Sequence, residues 1–160
     1  MAVDCQDQEG TECMRSALIN EILGPMPKNP AAGGAGFPAR LHQLIRQGLP
    51  AKVIGKLERI LGLSPLESTR LLAISETSRK RFKQAPAKRL DEAASDRIVR
   101  FVSTVAEAAE VFGDDDKAIA WFRTPSLALN GQEPLELMTS DPGAKMVRDE
   151  LNRIRYGHWA

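Results

Sequence analysis

The chain has 160 residues, 42% of them hydrophobic and 5% aromatic, with a formal net charge of +1; that length suits one domain or two small ones sharing a core. No window approaches the roughly 20 apolar residues that a membrane span requires, and Met1–Gly10 is acidic and lacks an apolar run, so the sequence predicts neither a transmembrane segment nor a secretory signal and places the chain in the cytoplasm. The near-neutral total hides an uneven distribution: Phe37–Leu90 carries 12 Lys/Arg against 3 Asp/Glu, a net +9, and the remainder carries −8, which points to one segment that meets a polyanion.

Cys5 and Cys13 lie in a polar stretch with no second Cys or His pair to complete a metal motif, so they are expected to be reduced thiols. Leu18, Ile19, Ile22 and Leu23 then give one apolar helical face, which Gly24-Pro25 ends. Pro25–Gly36 holds three prolines and three glycines and reads as a linker. Residues 1–36 are therefore an N-terminal arm, read equally as a mobile segment with a marginal helix or as an arm packed across a second copy.

Leu41, Leu44, Ile45 and Leu49 form a helical stripe after Pro38, closed by Gly48. Val53, Ile54, Leu57, Ile60 and Leu61 mark the next helix, with Gly62 as its stop. Ser64-Pro65-Leu66-Glu67 is a capping box with proline at the first helical position. A short helix to about Ala73, a tight turn at Ile74-Ser75 and a second helix from Glu76 make a helix-turn-helix, although the turn lacks the glycine many such motifs carry. Ile74, Ser78 and Phe82 fall four apart and are expected to face inward, leaving Glu76, Thr77, Arg79, Lys80 and Lys83 outward. Ser75, Thr77, Arg79, Lys80 and Lys83 are the expected DNA contacts, since arginine pairs with guanine edges or phosphate and lysine mainly with phosphate. Residues 37–90 are assigned to this module.

After Pro86 and a connector at Lys88–Asp91, with Asp91 or Ser95 as cap, comes the longest helix, predicted from Glu92 to Phe112. Ile98, Val102, Val105, Ala109 and Phe112 make one seam along it. Residues 91–113 are read as a central helix joining two modules. Asp114-Asp115-Asp116 is expected to cap a helix rather than hold a metal, and Trp121 and Phe122 to be core. Leu127 and Leu129 are expected to pack inward before the Asn130-Gly131 turn. Leu135, Leu137 and Met138 lie on a short helix after Pro134. The last helix, opened by Asp141-Pro142 as cap and proline, carries Ala144, Val147, Leu151 and Ile154 and stops at Gly157, leaving His158-Trp159-Ala160 as a tail. Residues 114–160 form the C-terminal module.

Period-two alternation is absent throughout, so the fold class is all-α. His42 and His158 stand in unrelated places, and no nucleophile–base set or glycine-rich phosphate loop is present, so no enzyme, catalytic residue, metal, cofactor or small-molecule substrate is expected.

Trp121, Thr124-Pro125, Leu129-Asn130-Gly131, Pro134-Leu135, Gly143, Leu151, Ile154 and Tyr156-Gly157 recur in an order and spacing that resembles the C-terminal toxin-binding domain of the Xre/ParS-type antitoxins, partners of RES-domain toxins. The chain departs from that pattern at Ser126, where the family usually has Asn, and at Asn130-Gly131, where Gly-Gly is frequent. The resemblance implies a Cro/Xre-like helix-turn-helix, a central helix beginning in Ser95-Asp96-Arg97, and a C-terminal module that covers the active-site entrance of an NAD-consuming toxin. Arg153, Ile154, Arg155, Tyr156, His158 and Trp159 are the expected toxin-binding residues, Tyr, Trp and Arg being the commonest interface anchors. Operator DNA bound as a homodimer is the second expected partner. The rival reading is a transcriptional regulator whose C-terminal helices serve dimerisation.

Overall fold

The computed structural model describes residues 19–24 and 36–157. Residues 19–23 are helical and Gly24 (φ +98°) follows them; Cys5, Cys13, the rest of the arm and linker, His158 and Trp159 lie outside the described residues. The elements are α1 (Gly36–Gln47), α2 (Lys52–Ile60), α3 (Pro65–Leu72), α4 (Glu76–Gln84), α5 (Glu92–Phe112), α6 (Asp115–Phe122), a 3-10 turn η1 (Leu127–Leu129), α7 (Pro134–Leu137) and α8 (Asp141–Tyr156). Among the described residues extended pairing is confined to two isolated bridges, Pro50 with Arg89 and Ser126 with Gln132. The protein is all-α: a helix-turn-helix, a long central helix and a small C-terminal helical module. It divides into two compact units, one over residues 21–100, the other from Phe101 onward with residues 19 and 20, so α5 contributes its first turns to one unit and the remainder to the other.

In the first unit α2, α3 and α4 pack on one another. Their core is Val53, Ile54, Leu57, Leu61, Leu63, Leu71 and Leu72, all buried. Local chemistry fixes each boundary. The Glu67 amide donates to Ser64 Oγ at 3.2 Å and the Ser64 amide donates to the Glu67 carboxylate at 2.6 Å, so the capping box is complete. The connector before α5 is pinned to the segment before α2: the Leu90 amide donates to the Leu49 carbonyl at 2.9 Å and the Ala51 amide to the Lys88 carbonyl at 2.8 Å. Gly48 makes this approach possible. Its φ is +73°, and a Cβ there would lie 2.3 Å from the Leu90 carbonyl oxygen. Asp91 caps α5 by accepting from the Ala94 amide at 2.7 Å, while Ser95 Oγ accepts from the Leu49 amide at 2.9 Å.

The turn between α3 and α4 works without glycine because Ala73 itself takes the left-handed conformation, φ 51° and ψ 44°. That geometry costs an L-residue roughly 1–2 kcal/mol, part of which glycine would return as extra freedom in the unfolded chain. Ala73→Gly is therefore expected to stabilise this unit by about 0.5–1 kcal/mol, visible as a higher urea midpoint with unchanged slope.

In the second unit Val102, Val105 and Ala109 of the α5 seam are buried as spacing predicts, as is Ala106, while Phe112 at its end is half-buried. The Phe122 ring meets the Phe101 ring edge-on at 5.6 Å, and Trp121 lies 5.7 Å from Phe112. Asp114 caps α6 by accepting from the Lys117 amide at 2.8 Å. The cap of α8 is Ser140, which accepts from the Gly143 amide at 3.2 Å; Asp141 is already inside the first turn. Leu129, Leu135, Met138, Ala144, Val147 and Leu151 close the core between η1, α7 and α8.

Candidate nucleic-acid and protein-binding surfaces

Helix α4 begins at Ser75, whose Oγ accepts from the Ser78 amide at 3.1 Å and whose hydroxyl donates to Ser78 Oγ at 3.0 Å. It caps the helix while remaining exposed. Beyond it, Thr77, Lys80, Arg81 and Gln84 are exposed and fall at i, i+3, i+4 and i+7, a single face of the helix. The Lys80 side chain is 69% exposed. The guanidinium of Arg81 and the ammonium of Lys88 each lie 5.9 Å from the centre of the half-buried Phe82 ring. Arg81 and Gln84 were not among the residues singled out in the sequence; counting helical spacing onward from Thr77 finds both.

Arg79 corrects the expected outward face. It is only 6% exposed, because it turns toward α2 instead of solvent. Its Nη1 lies 2.7 Å from Glu58 Oε1, and its Nε and Nη2 reach the two Glu76 oxygens at 3.0 and 2.9 Å. Lys83, one turn further along α4, reaches Glu58 Oε2 at 2.7 Å and keeps about half its surface in water. One carboxylate on α2 thus holds two cations of α4 spaced i, i+4.

The electrostatics follow from that arrangement. Burial alone raises the Glu58 carboxyl, and the hydrogen bonds and charges of Lys83 and Arg79 outweigh it, so the group sits below its ordinary value of 4.5. Glu76 is also lowered, chiefly by the hydrogen bond from Arg79. Arg79 is raised, first by its hydrogen bond to Glu76 and then by Glu58. Arg79 is therefore a permanently charged, multiply bonded strut between α2 and α4.

At the other end of the chain, α8 finishes in Arg153-Ile154-Arg155-Tyr156 and stops at Gly157, φ +65°. Arg153 pairs with Glu150 at 2.6 Å and keeps half its side chain exposed. Arg155 reaches back to Glu110 on α5 at 3.0 Å. Ile154 is half-buried, whereas Tyr156 is 68% exposed. These four predicted residues therefore share the last turn, with the two cations tied to carboxylates and the aromatic ring presented to solvent.

Leu127 departs from its expected inward packing: it is 96% exposed, while Leu129 is buried at 1%. The segment is a 3-10 turn with three residues per turn, so residues two apart cannot share a face. Among the described residues no group of three or more His, Cys, Asp or Glu side chains could hold a metal ion, and no helix is long and apolar enough to cross a membrane.

Residues 40–103 match the family model of the antitoxin Xre-like helix-turn-helix domain, and residues 107–157 match that of the antitoxin Xre/MbcA/ParS C-terminal toxin-binding domain. Among curated proteins the chain is similar to Antitoxin Xre of Photorhabdus laumondii, with 30% identity over 135 residues covering 81% of this chain and 90% of the relative. It is similar to Antitoxin Xre of Yersinia enterocolitica at 31% identity, covering 76% and 85%, and to that of Pseudomonas putida at 29%, covering 74% and 72%.

Proposed function

The chain belongs to the Xre antitoxin family, a non-enzymatic antitoxin and regulator with a C-terminal toxin-binding domain, and from that premise we propose that it neutralises a RES-type, NAD-degrading toxin by covering the active-site entrance and represses its own promoter as a homodimer. The observation that carries the toxin-binding part is the end of α8. Tyr156 stands 68% exposed at the close of the matched domain, an aromatic of the type most often found as an interface anchor. Arg153 and Ile154 share its turn, and His158 and Trp159 continue the chain from it. Arg155, tied to Glu110, holds the turn in place.

For the promoter, the face of Thr77, Lys80, Arg81 and Gln84 supports insertion of α4 into the major groove, with Ser75 and the first amides of the helix toward phosphate. Lys83 can turn part of its exposed ammonium to phosphate while bound to Glu58; Arg79 sets the helix angle. The domain boundaries proposed for these jobs are residues 37–90 for DNA, 91–113 for the connection and 114–160 for the toxin, with the arm 1–36 free for either role named above.

The test is co-expression with any RES-domain enzyme encoded beside this chain, tagged pull-down and an NAD assay of the extract. A stable complex with NAD preserved is the expected result. A chain ending at Arg155 should remain helical and bind its promoter, yet fail to preserve NAD. No complex, with NAD still falling, would instead favour a regulator whose C-terminal helices serve dimerisation.

A further inference from the structure

We propose that Leu127, with the uncharged loop that carries it, is a second apolar anchor for the toxin, separate from the end of α8. This rests on the toxin-binding reading above and names a contact surface within it. Residues 124–132 read Thr-Pro-Ser-Leu-Ala-Leu-Asn-Gly-Gln, nine positions without a charge in a chain that is 27% charged. All but Ser126 and Leu129 are exposed. An exposed aliphatic residue among uncharged positions fits the charge-depleted centre of an interface.

The loop is also held rigid. The Gly131 amide donates to the Ser126 carbonyl at 2.8 Å, the Leu129 amide to the same carbonyl at 3.0 Å, and the Ser126 amide to the Gln132 carbonyl at 3.2 Å. Asn130 and Gly131 both take the left-handed conformation that closes the turn. Leu129 fastens it from below with its side chain buried. The backbone of Leu127 takes part in this scheme, accepting from the Asn130 amide at 3.1 Å, but its side chain buries nothing at home. A rigid loop loses little conformational freedom on binding, so area buried on Leu127 appears largely as affinity.

The occupant is the toxin rather than a second copy of this chain. Leu127 lies inside residues 107–157, the stretch matched by the toxin-binding domain. Its turn η1 packs on α8, the helix whose last turn carries Tyr156. Anchor loop and terminal turn therefore belong to one continuous module. Leucine contributes less than Trp, Tyr or Arg at most interface centres, so the expected loss on removing it is about tenfold, not a thousandfold.

The experiment measures binding of the full chain to a purified RES-domain enzyme, taken from beside its gene, for the wild type, Leu127→Asp and Leu127→Met. Leu127→Asp should weaken binding by about tenfold or more, Leu127→Met should bind within about threefold of wild type, and all three should melt alike and bind promoter DNA alike. Equal binding by Leu127→Asp and wild type would overturn the proposal. So would a Leu127→Asp chain that halves its sedimentation mass without losing affinity for the enzyme, which would make the loop a self-association surface. Failure of the wild type to bind the enzyme would remove the toxin-binding reading itself, and the anchor with it.

Discussion

Gly143→Ala is expected to disable toxin neutralisation while leaving the helix-turn-helix unit folded. Gly143 is buried in the first turn of α8, and the reason it must be glycine is space, since its φ is not positive. A Cβ there would lie 2.1 Å from the Leu137 carbonyl oxygen and 2.8 Å from the Leu137 carbonyl carbon, both backbone atoms. Leu137 cannot retreat easily. Its carbonyl already accepts from the Ser140 amide at 3.2 Å, and the neighbouring Met138 and Leu135 are fixed in the core. Overpacking a well-filled site typically costs 1–3 kcal/mol, and an obstruction by main chain belongs at the upper end, about 3 kcal/mol. In a unit of this size that is a large fraction of the total stability and corresponds to a melting point lower by about 12–24 °C. Gly55→Ala is the internal control: Gly55 lies within α2, a Cβ there meets nothing within 4 Å, and removing a mid-helix glycine should stabilise by about 0.5–1 kcal/mol. Calorimetry of both variants checks the pair; equal melting points for Gly143→Ala and wild type would show that Leu137 yields.

Gly143 also marks what the sequence discloses and what it does not. Its place in the C-terminal pattern is visible, but the cause is a carbonyl six residues earlier, on a different helix. Features that depend on one residue's neighbours along the chain were legible. The capping box at Ser64, the stop at Gly62 and the seam of α5 through Ile98, Val102, Val105 and Ala109 all follow from spacing, because a regular helix converts spacing directly into a face. Features that depend on an irregular rotation were not. Leu127 and Leu129 look like an inward pair until the segment is known to be a 3-10 turn. The turn at Ala73 gave no signal, since alanine can be driven left-handed by the helices it joins. Arg79 failed for a third reason: among the closely spaced cations of α4, nothing local says which one meets Glu58, 21 residues earlier on α2. Lys80 and Arg81 are exposed while Arg79 is buried, a distinction that only the packing of α2 against α4 creates.

That packing leads to the expectation that Arg79 and Glu58 control promoter affinity without touching DNA. Removing either partner leaves the other with a poorly matched charge. For deeply buried pairs the cost is about 3–5 kcal/mol, but here two members of the cluster, Glu76 and Lys83, keep about half their side chains in water. Screening brings the expected cost of Arg79→Gln or Glu58→Gln to about 2 kcal/mol. The double variant keeps the net charge and strands neither member of the Arg79–Glu58 pair, although Glu76 and Lys83 each lose a partner, so it should be less destabilised than the sum of the singles by about 1–2 kcal/mol. The dependence on pH has a defined sign. The Glu58 and Glu76 carboxyls are lowered in the fold, so their contribution is complete above the ordinary carboxylate value and is lost as pH falls through their lower folded values. Arg79, raised further, stays charged throughout. Urea unfolding should therefore separate wild type from Glu58→Gln at pH 7, and the two should converge as pH falls below the ordinary carboxylate value and through the lowered one. Binding to the chain's own promoter fragment distinguishes a strut from a contact. Lys80→Ala should lower the slope of log affinity against log salt by about one phosphate's worth. The charge-neutral double variant should weaken binding with the slope unchanged, because the helix is misplaced but its phosphate contacts are the same in number. A double variant of wild-type stability that loses a unit of slope would return Arg79 to the DNA surface.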